Sequence, residues 1–543
     1  MKNNKILGFW SNHDCSYCIL EDGVPIIHDE YERFIREKEP PGDSLKFYEE
    51  NFGSINDIKY FATCYPLSKA SQYFSFENLT DAVSKNDGKL FKVGHHEAHA
   101  ANAFFSSNIK KSLIVTIDGG GIEDSVGTPS AFTVWEGNEN KIKKIDILPY
   151  TQINIGSVWT RCTRYIFNLQ SGWPTGHQAG TVMAMAALGD GSKYLQDFSK
   201  MLKEDLSAAS FKPLNQPSGA NTGNDPEHPY LNKFKIIAEK SDQDKWDLAA
   251  SLQLATEIFV RDILDHYIKE YKAEYLCLSG GVILNSVMAG KLYDWFPMLK
   301  SIYITPTPHD GGLAIGAAQY AWHQILDNPR IDWKDNCTPY LGKTYSRQEV
   351  EDTIEKFQDT LKTQTATTDD IINFVNDQKI VAIFGGGSES GRRALGNRSI
   401  LADPRSPQMK DRVNEKVKHR QWFRPFAPSI LRDEVSNWFE RDIDSPYMGF
   451  CIKFKQEKKD KVPAVVHFDS TARLQTVTKN DNPWYYNFLK KWNDKSGVPI
   501  ILNTSFNDTE PICEIPEHAI KCFLKTEIDY LYFYDHDILV SKS

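Results

Sequence analysis

SLIVTID, residues 112–118, is a β-branched, apolar run that ends on Asp118 and enters Gly119-Gly120-Gly121. A short apolar run closed by glycines reads as a buried strand rather than a helix. Residues 119–150 extend the pattern: GGGIEDSVGTPS (119–130) as a loop, AFTVWEG (131–137) as a second strand with a turn, and KIKKIDILPY (141–150) as a third. Residues 5–30 have the same plan: KILGFW, the polar loop SNHD, CSYCIL, the turn EDG, then VPIIHDE. Asp22-Gly23 between apolar runs marks a hairpin. Two meanders that each begin with a strand running into a polar or acidic loop suggest an internal duplication.

Further along, strand, glycine turn and helix alternate. Residues 244–270 carry a long helical pattern ending near Tyr271. EYLCLSGG (274–281) reads as a strand, VILNSVMAGKLYDWF (282–296) as a helix, SIYITPTPHDGG (301–312) as strand and loop, and LAIGAAQYAWHQIL (313–326) as a helix. That alternation predicts an α/β fold. The stretch from Leu326 to Ser346 holds prolines and polar residues without period, which puts a domain boundary near residue 340. The expected domains are residues 1–340 and 341–543, the second with strands at KIVAIFGG, PAVVHF, PIILNTSF and DYLYFYDHDILVSK. A chain of 543 residues exceeds one compact core.

Composition narrows the class. The chain is 41% hydrophobic and 25% charged, with a net charge of −9. Those values are ordinary for a globular protein and offer no general surface for nucleic acid. Nine cysteines, with only Cys15 and Cys18 at C-x-x-C spacing, fit reduced thiols in a cytoplasm better than a disulfide framework or zinc ribbon. No apolar run approaches the length of a membrane span, and the N-terminus lacks an apolar signal core.

Four groups of residues carry chemistry. In Gly94-His-His-Glu-Ala-His-Ala100, His95 and His99 share one helix face at a spacing that can hold a metal ion. The same pattern also occurs on polar helix faces. Asp118 and Asp310 each end a strand or loop beside paired glycines, where α/β sheets bind ligands, or where an aspartate simply caps a turn. Together the four would form a His2Asp2 set suited to a divalent cation. A second group is Ser279-Gly280-Gly281 with Asn285, a strand-to-helix turn where backbone can approach a phosphate. The third runs from Gly385 to Ser399 and holds Arg392, Arg393, Asn397 and Arg398; Lys416, Lys418, Arg420 and Arg424 come soon after. So many cations beside glycine turns in an acidic chain call for an anionic ligand, and arginine forks match phosphate oxygens. The fourth is ARLQTV (472–477) with Arg473, and LNTSFN (502–507) with Thr504, Ser505 and Asn507.

Taken in order along nearly the whole chain, these motifs resemble the nodulation-factor, cephalosporin and tobramycin O-carbamoyltransferases. The match includes His13-Asp14, Glu32-Arg33-Phe34 with Arg36 and Lys38, HHEAH, IDGGG, LSGGVILN, PTPHDGG, RALGNRSILADPR, FRPFAPS, ARLQTV and LNTSFN. The resemblance implies an actin-like first domain of duplicated ribonuclease-H-like build, similar to the tRNA threonylcarbamoyl-transfer subunit, and an α+β YrdC-like second domain. It implies that carbamoyl phosphate and ATP, with Mg2+, give carbamoyl-adenylate in the second domain. The carbamoyl group then passes through a shared interior to the first, where it moves onto the hydroxyl of a sugar, natural product or nucleoside. His95, His99, Asp118 and Asp310 match the ligands of a divalent metal, Fe2+ in that family. His13, beside Asp14, matches the group that takes the acceptor's proton. Arg393, Lys418, Arg424, Arg473 and Ser505 match the carbamoyl-phosphate pocket. Gly120, Gly280, Gly281 and Asn285, with Asn397, Arg398, Thr504 and Asn507, match nucleotide contacts. A homodimer would be in keeping with the class. Departures fall at Gly387, where the family carries arginine, at Arg392, where it carries proline, and at Ala179-Gly180-Thr181, where it carries glutamate-glycine-lysine. Two other readings stand beside this one: transfer to tRNA, and a nucleotide-binding protein that has lost catalysis.

Overall fold

The computed structural model describes residues 5–67, 72–149, 153, 155–170, 178–203, 229–332 and 338–543. The 171–177 part of the stretch around the Ala179-Gly180-Thr181 departure, and residues 333–337 of the boundary stretch with Cys337, lie outside the described residues. The chain divides into two compact units, Met1–Met288 with Leu292–Thr338, and Ala289–Lys291 with Pro339–Ser543.

The first unit holds two five-stranded sheets of one design. In the first, β1 (Lys5–Trp10), β2 (Ser16–Glu21) and β3 (Val24–Glu30) form an antiparallel meander, and β4 (Tyr60–Cys64) and β5 (Lys89–Val93) continue parallel to β1, in the order β3-β2-β1-β4-β5. In the second, β6 (Lys111–Ile122), β7 (Pro129–Asn138) and β8 (Lys141–Leu148) form the meander, and β9 (Tyr275–Ser279) and β10 (Ser301–Ile304) run parallel to β6, in the order β8-β7-β6-β9-β10. The two meanders seen in the sequence are therefore the same part of a repeated sheet. One boundary differs from expectation. Gly119-Gly120-Gly121 is not loop: after an irregularity between Ile117 and Gly121, β6 pairs again at Gly121↔Ser130. A bulge absorbs the extra residues and bends the strand while the ladder continues.

Each repeat sends a helix back after its fifth strand. Helix α1 (His95–Phe105) follows β5, and α2 (Leu313–Gln319) follows β10. Small residues let them touch: a Cβ on Gly316 would run into the Ala98 carbonyl oxygen. Ala98 shares a buried cluster with Trp10, Val93, Leu313 and Ala317, while Ala100, Ala103 and Phe104 pack on Ile114, Trp135 and Cys277. Thus α1 contacts the first sheet by one side and the second by the other. The long helix expected at 244–270 spans Asp242–Glu270, with Ser241 capping its first turn.

The second unit is built on a nine-stranded mixed sheet, ordered β11-β19-β18-β12-β13-β17-β14-β16-β15. These are β11 (Leu361–Thr365), β12 (Val381–Phe384), β13 (Arg398–Ala402), β14 (Ala427–Leu431), β15 (Phe450–Lys453), β16 (Thr471–Val477), β17 (Ile500–Ser505), β18 (Tyr530–Phe533) and β19 (Ile538–Lys542). PAVVHF is not a strand. Pro463 opens a single 3-10 turn over Pro463–Val465, and Ala464 and Val465 bury themselves without joining the sheet. Proline pre-sets the turn and has no N–H to give to a ladder. Among the described residues, no helix is long and apolar enough to cross a membrane.

Candidate functional site

The duplication explains how residues far apart in sequence meet. His95 and His99 lie in the first two turns of α1; Asp310 lies just before α2, the matching helix of the second repeat. Asp118 follows the apolar run of β6; His13 and Asp14 follow β1, the matching strand of the first repeat. Equivalent strand ends and helix starts of two repeats converge on one place, the carboxyl ends of parallel strands where open α/β sheets bind ligands.

One ligand atom from each of His95, His99, Asp118 and Asp310 falls within 4.8 Å of the others. His99 Nε2 is 3.3 Å from Asp310 Oδ1 and 3.5 Å from Asp118 Oδ2, and His95 Nε2 is 3.5 Å from Asp310 Oδ1. The other nitrogen of His99 lies 3.3 Å from Ser279 Oγ, which fixes the ring. His95 Nε2 is buried without a hydrogen-bond partner. Burial, then the neighbouring His99 and His96, lower the His95 pKa to about 4 against the pull of Asp310. That leaves a neutral imidazole, the form that ligates metals. For Asp310 burial opposes the charge, yet His95, His13 and His99 hold its carboxyl well below the usual range. Two neutral-capable imidazoles, two carboxylates and an orphaned ring nitrogen fit a divalent cation.

His13 sits beside this group, Nδ1 3.0 Å from Asp14 Oδ2 and Nε2 3.5 Å from Asp310 Oδ2, with 40% of its side chain open. Removal from water lowers its pKa, but the Asp14 hydrogen bond and the Asp310 charge outweigh that and raise it to about 10.

The first-unit glycines and Asn285 have structural duties. Gly281 N–H donates to Asp118 Oδ2 at 2.5 Å, so this turn orients a ligand-set carboxylate. Gly280 has φ 98°, a left-handed conformation that favours glycine. Gly120 lies in the bulged part of β6. Asn285 accepts from Met288 N–H, capping the helix Ser286–Trp295, and exchanges hydrogen bonds with Gln253.

Sequence reasoning passed over Glu123. Its Oε1 accepts from His96 N–H at 2.9 Å and from Ser130 Oγ at 2.5 Å, and lies 3.0 Å from His96 Nδ1. Burial opposes its charge, but these contacts with His96 and Ser130 lower its pKa to about 2. Glu123 follows the Asp118 segment and caps the helix that carries His95 and His99, so it braces two ligand-bearing segments together. The signal was an acid five residues after Asp118, inside a stretch read as loop.

In the second unit, the cation-rich region sorts into two groups. Arg473 is an electrostatic neighbour of Arg393, Arg420 and Arg424, and Arg424 is one of Arg393 and Arg420. Burial and then Arg473 push Arg393 well below the ordinary arginine value, burial and then Arg424 do so for Arg420, and burial and then Arg473 bring Arg424 to about 10. Arg473 is lowered by burial, and its buried Nε has no hydrogen-bond partner. Lys418 is buried and donates to the Ser505 carbonyl at 2.6 Å and to Asn507 Oδ1 at 2.6 Å, with Ser505 Oγ at 3.3 Å. Thr504 precedes them on β17 and pairs with Ile400 of β13. Like charges held together out of water favour a multivalent anion.

Two cations stand apart. Lys416 lies at the surface near Glu415 and Glu527. Arg398 is fully buried; its guanidinium donates to the Gly385, Gly386 and Asn397 carbonyls and stacks 3.6 Å over Phe384. Asn397 accepts from Asn482 and Tyr534 and donates to the Gly387 carbonyl. Both side chains are spent on shaping the glycine-rich loop, because buried backbone carbonyls there need donors. Glu389, also missed in sequence, finishes that loop: its fully buried Oε1 accepts from the N–H groups of Leu395, Asn397 and Arg398. The Gly387 departure has a steric cause, since a Cβ there would strike the Gly342 carbonyl oxygen. Thr181, at the lysine position, is buried with its hydroxyl 3.3 Å from Gln178 Oε1.

Family models for the carbamoyltransferase N-terminus and C-terminus match residues 73–319 and 372–542. Nodulation protein NolNO of Sinorhizobium fredii is 34% identical, over 96% of this chain and 78% of the relative. Nodulation protein NolO of Bradyrhizobium diazoefficiens is 34% identical, over 81% of this chain and 77% of its own. A crystal structure of full-length HypF in a phosphate- and nucleotide-bound form is 15% identical, covering 60% of this chain and 56% of that one, at a TM-score of 0.34, too low to carry an argument. On its two matching domains and its relatives over most of its length, the chain belongs to the carbamoyltransferase family and is a carbamoyltransferase enzyme.

Proposed function

We propose that the protein is an ATP-dependent O-carbamoyltransferase that runs one half-reaction in each unit. The second unit, read as YrdC-like, takes carbamoyl phosphate and ATP. Arg393, Lys418, Arg424, Arg473 and Ser505 hold the phosphate oxygens of carbamoyl phosphate. Water attacks the phosphorus of carbamoyl phosphate, the bond from phosphorus to the carbamoyl oxygen breaks, and inorganic phosphate and carbamate form. The carbamate oxygen then attacks the α-phosphorus of Mg2+-bound ATP, pyrophosphate leaves and carbamoyl-adenylate forms. Carbamate is a poor electrophile, and adenylation gives it a good leaving group. The observation that supports this reading is the half-buried group of arginines that perturb one another, within the stretch that matches the carbamoyltransferase C-terminus.

The first unit, read as actin-like, performs transfer. The acceptor hydroxyl attacks the carbamoyl carbon, the bond to AMP breaks, and the hydroxyl proton goes to His13 Nε2. His95, His99, Asp118 and Asp310 would hold a divalent cation, which would supply Lewis-acid polarisation. His13, whose pKa Asp14 and Asp310 raise to about 10 against its burial, acts as base from its neutral form, with Nδ1 held by Asp14 and Nε2 taking the proton. A His2Asp2 set takes iron(II), manganese(II) or zinc(II) alike, so the reading extends to a divalent cation. The acceptor is a hydroxyl-bearing small molecule or sugar.

The test needs no acceptor. Protein, ATP, magnesium and carbamoyl phosphate should yield pyrophosphate only when carbamoyl phosphate is present, with carbamoyl-adenylate detected by mass spectrometry. ATP bound without pyrophosphate release would refute the adenylate route.

A further inference from the structure

Trp422 and Phe468 are among the most exposed large apolar side chains of the second unit, at 55% and 48%. They are not scattered. Their rings meet edge to face with centroids 5.7 Å apart. The Lys410 ammonium lies 4.3 Å over the Phe468 ring, and Lys410 is itself an electrostatic neighbour of Arg420, which neighbours Arg424 and Arg473. Trp422 stands between Arg420 and Arg424 in the chain, and the Asn414 amide ties its carbonyl and that of Arg424 to one place. His467, next to Phe468, feels both Arg473 and Lys410, and its buried Nε2 has no hydrogen-bond partner. An exposed aromatic pair, an unsatisfied ring nitrogen and the buried arginine group thus form one continuous feature.

We propose that Trp422, braced edge to face by Phe468, is the base-stacking platform of a nucleotide whose phosphates meet Lys410 and Arg420. A purine nucleotide is the chemistry that matches: a flat base for the exposed Trp422 ring, ring nitrogens for His467, and a polyphosphate for Lys410 and Arg420. Water-exposed aromatic rings gain by covering a base face, and the gain is indifferent to base sequence. The arrangement also gives the base a place other than Asn397 and Arg398, whose side chains are committed to the loop. The inference rests on the reading that the second unit uses ATP.

The experiment uses the full chain and follows carbamoyl-phosphate-dependent pyrophosphate release. Trp422→Ala should raise KM for ATP by about tenfold, the scale of one lost base stack, with KM for carbamoyl phosphate unchanged. Trp422→Phe should keep most of the ATP affinity, and inorganic tripolyphosphate, which has no base, should inhibit wild type and Trp422→Ala equally. An unchanged KM for ATP overturns the platform, and an altered oligomeric state with that result assigns the pair to a protein interface instead. Equal rises in both KM values, or weaker tripolyphosphate inhibition, also overturn it. Wild type that releases no pyrophosphate brings down the ATP reading along with the platform, a failure distinct from those of the variants.

Discussion

The two charged clusters of this molecule are built on opposite principles. In the first unit, imidazoles and carboxylates alternate at 3.3–3.5 Å, so each ring nitrogen faces a carboxylate oxygen. In the second, arginines face arginines: Arg473 is the strongest charged perturber of Arg393 and Arg424, and Arg424 is that of Arg420. The first sets each imidazole against a carboxylate and leaves the buried His95 Nε2 without a hydrogen-bond partner. The second holds like charges together against their repulsion, by fastening the surrounding loop from every side. That is why Glu389, Arg398, Asn397 and Asn503 are so heavily hydrogen-bonded there. The sign of each cluster names its ligand: a cation between mixed donors, an anion among guanidiniums.

The sharpest way to break the comparison is to remove one positive charge. Arg393→Ala or Lys418→Ala should cut pyrophosphate release by roughly 10²–10³-fold, the scale of losing an electrostatic clamp on a transferring phosphoryl group. Near-normal release by either variant would remove the arginine group from the first half-reaction. Thermal melting should accompany the Lys418 assay, because that ammonium also holds the Ser505 and Asn507 segment in place.

Removing a ligand from the mixed cluster should separate the half-reactions. His99→Ala or Asp310→Ala should leave pyrophosphate release within about twofold while transfer to an acceptor falls by about 10² or more. A chelator that spares Mg2+ should reproduce that pattern in wild type. Transfer at the wild-type rate by either variant would exclude the cluster from the reaction.

The smallest expected effect probes the brace. Glu123→Gln keeps the shape but loses the charge that grips His96 and Ser130. Divalent-cation affinity measured by calorimetry should fall by about tenfold, as it does when groups behind metal ligands are changed, with pyrophosphate release untouched. Equal affinity in variant and wild type would make Glu123 a helix cap and nothing more.

Sequence reading was strongest where local pattern decides structure. The strand SLIVTID, the helix bearing HHEAH and the long helix near 242–270 all follow from period and capping. It was weakest where a side chain's direction matters. Arg393 and Arg398 look alike in RRALGNR, yet one joins the arginine group and the other turns under the loop to stack on Phe384. PAVVHF reads as a strand by composition, but its proline and its burial outside the sheet make it a turn. Glu123 was invisible because its partner, His96, lies 27 residues away on another element.

By itself the sequence determined the α/β alternation, the repeated meander, the carbamoyltransferase kinship and the residue types that chemistry would require, because those depend on local period and on motif order. Tertiary structure alone decided which of those residues meet. His13 and Asp310 are separated by 297 positions yet approach to 3.5 Å, because two copies of one sheet place equivalent strand ends and helix starts face to face. It also decided which cations gather beside other cations and which are consumed by buried carbonyls. Convergence and direction are set by packing between distant segments, and no local pattern encodes them.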